Sequence, residues 1–307
     1  MLATVRSQTF THFEVIVVDD ASNESTRSMY EELWLQLDSR FRLIQLGNAN
    51  GPGVGPSIAR NAGIDAAHGE VIAFCDDDDF WTSDSHLASM AEVFQGDPEV
   101  DMYIANQRAV SCDGRVEREH WLPALVDIVS RRSASSRHGH RLSVEDLARA
   151  GGFAQLNILA VRKQVALQIG GFWSRSSYEE DRDFFWRAAD AARVIFFNPK
   201  QVAQHNVPDP KLRNNLSRSF SQAERWLLST LVSQHIAMNV SSPTIRKLCH
   251  AYEGDILRHL SQYWIGQGKY DVGLQYARRA LAARASFKWA LYTGLLACRK
   301  LGRKETA

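Results

Sequence analysis

Long hydrophobic runs are missing from the 307 residues, and no apolar stretch approaches the ~20 residues that a membrane-spanning helix needs. The N-terminus also lacks the apolar core of a secretory signal peptide. Cysteine is scarce, and Cys75, Cys112, Cys249 and Cys298 lie far apart without close pairs. This spacing argues against a zinc site or a disulfide framework and fits a reducing cytosol. We therefore expect a soluble, cytoplasmic protein.

The sequence also has no excess of either charge, since it contains 36 lysines and arginines and 35 aspartates and glutamates. A chain so balanced has no overall field that would attract nucleic acid or an anionic membrane, and we expect no nucleic-acid partner. A dense cluster of one charge is then a local feature. The length allows a full α/β core and an additional domain.

The densest acidic cluster is Asp76–Asp79, which follows the apolar stretch Val71–Cys75. Five apolar residues bounded by polar ones predict a central strand that is buried on both faces. Neighbouring carboxylates raise each other's pKa, and open α/β sheets bind ligands at the carboxyl ends of their strands. The run therefore indicates a bound cation, although an exposed acidic turn would explain it as well when it is taken alone.

Strands alternate with helices through the first two thirds of the chain, which favours βαβ units and a parallel sheet. The predicted strands are 13–18, 42–46, 71–75, 101–110, 156–162 and 193–198, and the predicted helices are 22–37, 57–67, 83–94 and 163–170. A glycine-rich loop over 47–56 could approach a phosphate, but its spacing does not match a dinucleotide fingerprint. We interpret the basic stretch 131–141 as a mobile solvated loop or, alternatively, as a flap over an active site.

A second acidic cluster, 178–183, precedes apolar residues with helical spacing, so its acids suit a helix N-terminus. Simple capping would explain any one of them. From Asn215 onward the pattern is helical, over 217–238, 244–265, 270–283 and 287–300, and part of it resembles one tetratricopeptide repeat. One repeat cannot form a solenoid. We predict a first domain over 1–212 and a helical region over 213–307 that packs on it or mediates self-association or the binding of a protein partner.

Four stretches, in this order, resemble family 2 glycosyltransferases, which are nucleotide-diphospho-sugar transferases with the GT-A fold. They are Phe13–Ser22, Ala59–Ile64, Gly69–Trp81, and Gly170–Phe172 followed by Glu180–Asp181. The ordered set is specific for fold and reaction class, whereas any single stretch is weak. The resemblance implies a GT-A domain, Rossmann-like and α/β, with a mostly parallel sheet and flanking helices, followed by the C-terminal helical region. The match begins within the family's first helix and lacks its usual first strand, so we expect a long unpaired sheet edge.

The resemblance also assigns roles to individual residues. Asp76 and Asp78 occupy the Asp-x-Asp positions, where Asp76 contacts the nucleotide ribose and both acids serve a divalent metal, Mg²⁺ or Mn²⁺. Asp77 is the intervening donor-site residue, and Asp79 is expected to orient its neighbours. His205, which should follow the last strand, matches the position of a further metal or phosphate ligand.

The remaining assignments concern the binding of the nucleotide and the catalytic base. Asp19 matches the acid that reads the nucleobase or ribose, and Arg60 is expected near it. Asp181 matches the catalytic base of the Glu-Asp motif, with Glu180 beside it.

The implied function is metal-dependent, inverting transfer from a nucleotide-sugar, with a UDP-sugar as first choice, to a saccharide or lipid-linked acceptor in polysaccharide or glycoconjugate biosynthesis. A cation neutralises the diphosphate and a carboxylate deprotonates the acceptor hydroxyl. A lipid-linked acceptor would bring the protein to the inner face of the plasma membrane. The alternative is a catalytically silent GT-A scaffold that holds a partner through its helical tail. A phosphatase would need Thr or Val where Phe80 stands, and a nucleotidyltransferase would need a Gly/Arg loop after its first strand.

Overall fold

A computed structural model describes residues 1–209 and 220–304, including the side chains up to residue 299 in the last helix. The chain divides into two compact units, Met1–Lys211 and Leu212–Ala307. None of the described helices is both long enough and apolar enough to cross a bilayer. The predicted start of the first C-terminal helix, at residue 217, lies outside the described residues.

The first unit has the predicted α/β class. Its elements are α1 Leu2–Arg6, β1 Val15–Asp20, α2 Glu24–Leu35, β2 Phe41–Leu46, α3 Pro56–Ala66, β3 Val71–Ala73, β4 Phe80–Trp81, α4 His86–Gly96, β5 Val100–Ser111, β6 Val116–Arg118, α5 Pro123–Val129, β7 His140–Leu142, α6 Val144–Ala150, β8 Leu159–Arg162, α7 Lys163–Gln168, α8 Glu180–Ala191 and β9 Val194–Val207. A single 3₁₀ turn, Leu156–Ile158, leads into β8.

The strands form two sheets. β1 and β2 pair in parallel, while the larger sheet has the order β3-β8-β5-β9-β4, with β6 added to β5 and β7 added to β9. Only β5 and β9 run parallel among the described pairs of the larger sheet. The expected mostly parallel sheet is therefore wrong in this detail, because β4, β6, β7 and β8 each pair antiparallel with their neighbours. Among the described strands β1, β2, β3 and β4 lie at the ends of the two sheets. The long unpaired edge expected from the missing first strand stays a prediction.

β3 is shorter and less buried than the sequence predicts. Ile72 is buried, but Val71 and Ala73 are only half-buried, and β3 is an edge strand in the described sheet rather than a central one. The centre is β5, whose residues 100–105 are almost inaccessible to solvent between β8 and β9. An apolar run alone cannot reveal which strands become its neighbours.

The basic stretch 131–141 is a loop for most of its length and becomes a strand at its end. It ends in β7, which pairs with β9. Arg132 forms a two-pronged ion pair with Asp146, at 2.6 and 2.8 Å, and Arg141 pairs with Asp97. Residues 131–137 are exposed, which confirms the predicted solvation, and the ion pairs with Asp146 and Asp97 connect the stretch to other segments.

β9 is more than twice as long as predicted, because it continues past Pro199. Its register against β5 shifts where Ile104 faces Phe197 while Asn106 faces Gln201. Such a bulge bends a strand and re-aims the side chains beyond it. As a result His205 lies within β9, not after it as expected.

The second unit consists of helices, as the sequence predicts. They are α9 Gln222–Asn239, α10 Pro243–Gly266, α11 Tyr270–Ala283 and α12 Phe287–Lys304. Helices α10 and α11 approach closely at Gly273, where an added Cβ would lie 2.6 Å from the Ile265 side chain. Ser261 Oγ reinforces this contact by donating to the Gly273 carbonyl at 2.8 Å.

Candidate active site

The four aspartates that follow β3 form a turn, in which the Asp79 amide donates to the Asp76 carbonyl at 3.2 Å. Their environments differ. Asp77 and Asp78 are exposed, Asp76 is half-buried, and Asp79 is 1% exposed. Partial desolvation, together with the charges of Asp79, Asp76 and Asp77, raises the pKa of Asp78 to about 6. The turn therefore presents closely spaced carboxylates at the surface above one buried carboxylate.

The buried carboxylate of Asp79 fixes the turn through hydrogen bonds. Its carboxylate accepts hydrogen bonds from the Asn157 side chain, from His205 Nδ1 at 2.9 Å and from the Asn206 amide at 2.6 Å. The Asn206 side chain also donates to the Asp78 carbonyl at 2.5 Å. The predicted orienting role of Asp79 thus has a structural basis, because these bonds link the turn to the 3₁₀ turn before β8 and to β9.

Asn157 also fixes this turn, although no motif in the sequence points to it. Its side-chain oxygen accepts from the Asp76 amide at 2.9 Å, while its side-chain nitrogen donates to Asp79. Its carbonyl accepts from the Trp81 indole at 2.9 Å, and the residue is 1% exposed. A polar amide within the apolar stretch 156–162 was the available signal, since a buried amide needs hydrogen-bond partners.

Arg60 of α3 joins the two acidic clusters. Its guanidinium pairs with Asp76 at 2.9 Å and with Glu180 at 2.7 Å, and it lies over the Phe172 ring at 5.5 Å. Burial would lower the pKa of Arg60, but the two carboxylates outweigh it and raise the pKa above its ordinary value. The ion-pair partners of Arg60 are thus Asp76 and Glu180, while its expected proximity to Asp19 stays a prediction.

Asp181 lies in the first turn of α8, directly after Glu180. Burial, and next the neighbouring charge of Glu180, raise its pKa to about 7, against lowering by the Arg182 amide and Arg60. The Arg182 amide donates to its carboxylate at 2.8 Å. A carboxylate with a pKa near neutrality can accept a proton at working pH, which is what a general base requires.

The Gly-Gly-Phe stretch positions α3 against α8. Asn61 donates to the Phe172 carbonyl at 2.9 Å and accepts from its amide at 2.7 Å. Gly171 has φ of +68°, and a Cβ there would come within 2.4 Å of the Asn61 side chain. Arg187, paired with the fully buried Asp183, donates to the Gly171 carbonyl at 2.8 Å. These contacts set Arg60 and the start of α8 beside one another.

The carboxylate of Asp19 is hydrogen-bonded by nearby residues of its own chain segment. Its carboxylate accepts from the Ser22 amide at 3.1 Å, from Arg27 at 3.0 Å and from the Tyr30 hydroxyl at 3.2 Å, and its side chain is 1% exposed. Burial alone would raise the pKa of Asp19, but these hydrogen bonds and the Arg27 charge lower it. The geometry gives Asp19 a role in closing the β1–α2 turn.

Asp20, the next residue, turns toward the glycine-rich loop. Its carboxylate accepts from the amides of Val54 at 2.6 Å and Gly55 at 2.8 Å. A Cβ at Gly53 would come within 2.8 Å of the same carboxylate, so the loop needs glycine there. The loop amides thus bind a carboxylate of the protein, and the two adjacent acids have separate roles.

The acids fit a divalent ion only when a ligand supplies further oxygens. Among residues 1–209 and 220–304, no group of three or more His, Cys, Asp or Glu side chains could hold a metal by itself. Magnesium sites commonly combine one or two carboxylates with substrate phosphates. Asp76 and Asp78 provide that number. His205 is oriented by its Nδ1 contact with Asp79, so that Nε2 is the ring atom suited to a ligand.

A solved structure shares this architecture. S. aureus TarS 1–349, crystallised in complex with UDP-GlcNAc, matches 92% of this chain and 76% of its own at a TM-score of 0.62 and 17% sequence identity. At this identity the likeness establishes the fold, which is that of a GT-A glycosyltransferase.

The chain belongs to glycosyl transferase family 2, whose sequence profile matches residues 1–164, more than half of the chain. It is similar to EpsH of Bacillus subtilis, with 37% identity over 108 residues (35% of this chain and 29% of EpsH). It is also similar to the succinoglycan biosynthesis protein ExoW of Rhizobium meliloti, with 42% identity over 89 residues (28% and 26%). The chain thus matches less than a third of the length of these two relatives.

Proposed function

We propose that the first unit transfers a sugar from a nucleotide-diphospho-sugar to an acceptor hydroxyl, with inversion at the anomeric carbon. One observation carries the proposal. Arg60 pairs with Asp76 in the acidic turn and with Glu180 beside Asp181, so that the donor-side acids and the candidate base belong to one site. A donor site and a base on the acceptor side are what in-line displacement requires.

Asp181 is the general base in this proposal. It removes the proton of the acceptor hydroxyl as that oxygen attacks, and its raised pKa matches the task. Attack opposite the leaving diphosphate, with one base, inverts the sugar's configuration. Glu180 and Arg60 tune Asp181 electrostatically and keep α8 beside the acidic turn.

Asp76 and Asp78 would hold Mg²⁺ or Mn²⁺, with His205 as a further ligand of the metal or of a phosphate. The ion would supply Lewis-acid neutralisation of the departing diphosphate. Asp79, Asn157 and Asn206 fix the turn through their hydrogen bonds. Asp77, exposed in the turn, and Asp19, at the end of β1, are proposed on the nucleotide side.

A UDP-sugar is the donor we propose, because TarS shares the fold and was crystallised with UDP-GlcNAc. The acceptor is proposed to be a saccharide or a lipid-linked carrier in polysaccharide synthesis, on the analogy of the relative ExoW. Such a carrier would place the enzyme at the inner face of the plasma membrane.

The test is a thermal-shift screen against UDP-, GDP-, dTDP- and CMP-sugars with and without Mn²⁺, followed by a transfer assay with the donor that binds. Asp78→Asn should lose the metal-dependent stabilisation. Asp181→Asn should keep it and lose transfer. Asp84→Asn, an exposed acid beyond β4, is the matched control. If no donor stabilises the wild type with or without metal, the chain is a silent scaffold and the proposal is wrong.

A further inference from the structure

Helix α12 of the second unit carries an exposed apolar stripe. Phe287, Leu291 and Leu295 are 87%, 58% and 57% exposed, and Cys298 is exposed as well. The four residues follow one another at intervals of four, four and three, so they lie on one side of the helix. We call these four residues the α12 stripe.

The α12 stripe is distinct from the side through which α12 joins its own unit. On that side Trp289 and Leu296 are buried, and the Trp289 indole donates to the Ala277 carbonyl of α11 at 2.9 Å. Gly294 borders the stripe, and a Cβ added there would meet no described atom within 4 Å. The stripe is therefore uncovered in the described part of the chain, while the helix is anchored by its opposite side.

The sequence of α11 and α12 is mostly basic, although Arg284 in the connection pairs with Asp255 of α10. Between residues 270 and 304, which form α11, its connection and α12, the sequence has eight lysines and arginines and one acid, Asp271. Lys288 and Arg299 are exposed, and each follows a stripe residue by one position, which places both on one flank of the stripe. The near-zero net charge of the chain hides this local excess.

We propose that the α12 stripe docks on the surface of an anionic lipid bilayer. Apolar side chains at helical spacing enter the boundary between headgroups and acyl chains, while the flanking cations contact anionic headgroups. A second copy of the chain is a poorer occupant, because pairing α12 with α12 would bring like charges together. The inference is independent of the transfer reaction, since it concerns residues of the second unit alone.

Vesicle co-sedimentation of the full chain tests this surface. The probes are vesicles of phosphatidylcholine and vesicles of equal parts phosphatidylglycerol and phosphatidylcholine. The stripe variant is Leu291→Gln with Leu295→Gln, and the charge variant is Lys288→Gln with Arg299→Gln. The matched control is Leu231→Gln with Met238→Gln on α9, whose side chains are 52% and 85% exposed. Circular dichroism confirms that each variant is folded.

The wild type should bind the anionic vesicles and not the neutral ones, and salt should weaken binding by screening. The stripe and charge variants should each bind about tenfold less, whereas the control should match the wild type. Three results would overturn the proposal: no binding of the wild type to anionic vesicles, an equal loss in the control, or an unchanged vesicle affinity of the stripe variant. In the last case, a changed mass in light scattering would identify the stripe as a contact between protein chains.

Discussion

Replacing Arg60 or Glu180 by glutamine should shift the pH dependence of transfer in opposite directions. Both charges act on Asp181, since Glu180 raises its pKa and Arg60 lowers it, on top of the larger effect of burial. Arg60→Gln should therefore move the pKa of Asp181 above about 7, and Glu180→Gln should move it below. Each replacement also breaks the ion pair between Arg60 and Glu180, and the charge left behind acts in the same direction.

The size of the shift follows from the partial burial of the pair. Close charges move a carboxyl pKa by about 1 to 3 units, and we take the lower end because the Arg60 and Glu180 side chains are 22% and 15% exposed. The midpoint would then lie near 8 in Arg60→Gln and near 6 in Glu180→Gln, shifts of about one unit. Well below the midpoint, one unit changes the ionised fraction of the base about tenfold.

The measurement is kcat/KM for the donor as a function of pH, because this parameter reports the pKa values of the free enzyme. Relative to the wild type, Arg60→Gln should lose about ten times more activity at acid pH than at alkaline pH, where the base is ionised in both proteins. Any loss that persists at alkaline pH measures donor binding. Arg175→Gln, an exposed arginine before α8, is the control and should leave the midpoint unchanged.

Two results would contradict this prediction: both variants shift the midpoint in the same direction, or neither shifts it while thermal melts show folded protein. Either result would mean that a group other than Asp181 determines how kcat/KM falls at acid pH. A wild-type midpoint far from neutrality would contradict the environment described for Asp181.

Four further predictions concern single residues. The pKa of Asp181 is raised from 3.8 to about 7, so the folded state holds this proton more tightly than the unfolded state, and stability falls as pH rises between these values. In urea unfolding, Asp181→Asn should therefore be up to ~2 kcal/mol more stable than the wild type at alkaline pH, a figure that is discounted for partial exposure of the side chain. Near pH 4 the two proteins should be equally stable. Asp78→Asn should abolish the Mn²⁺ dependence of donor binding in a titration, and an unchanged dependence would remove Asp78 from the metal site. Asn157→Ala should cost about 1–3 kcal/mol in denaturant unfolding, because it leaves polar groups of the acidic turn unpaired; it should also weaken donor binding, and normal affinity in folded protein would restrict Asn157 to a structural role. Asp183→Ala should cost about 3–5 kcal/mol, since Arg187 is left buried and unpaired, while a loss under 1 kcal/mol in urea unfolding would show that the pair is dispensable.

The sequence predicts elements well where the signal is local. The last three helices of the second unit and the strand 42–46 depend on residue spacing within one element, and the structure places them within a few residues of the predicted bounds. The sequence predicts poorly which strands become neighbours in a sheet. The direction of β8 and the edge position of β3 depend on pairing between segments about ninety residues apart, which spacing within a segment does not record.

The difference between local and long-range signals also explains why the four aspartates of the acidic turn have different environments. Four identical side chains in a row have no local feature that separates them, yet one is buried and the others reach toward solvent. The difference comes from Asn157, His205 and Asn206, which lie 78 to 127 positions away from Asp79 along the chain. Because these partners satisfy Asp79, its charge can be buried while Asp76 and Asp78 remain available for a ligand. Asp79 thus supports the acidic turn, as expected from its place beside the Asp-x-Asp positions, and in the proposed function it holds Asp76 and Asp78 in position for the donor.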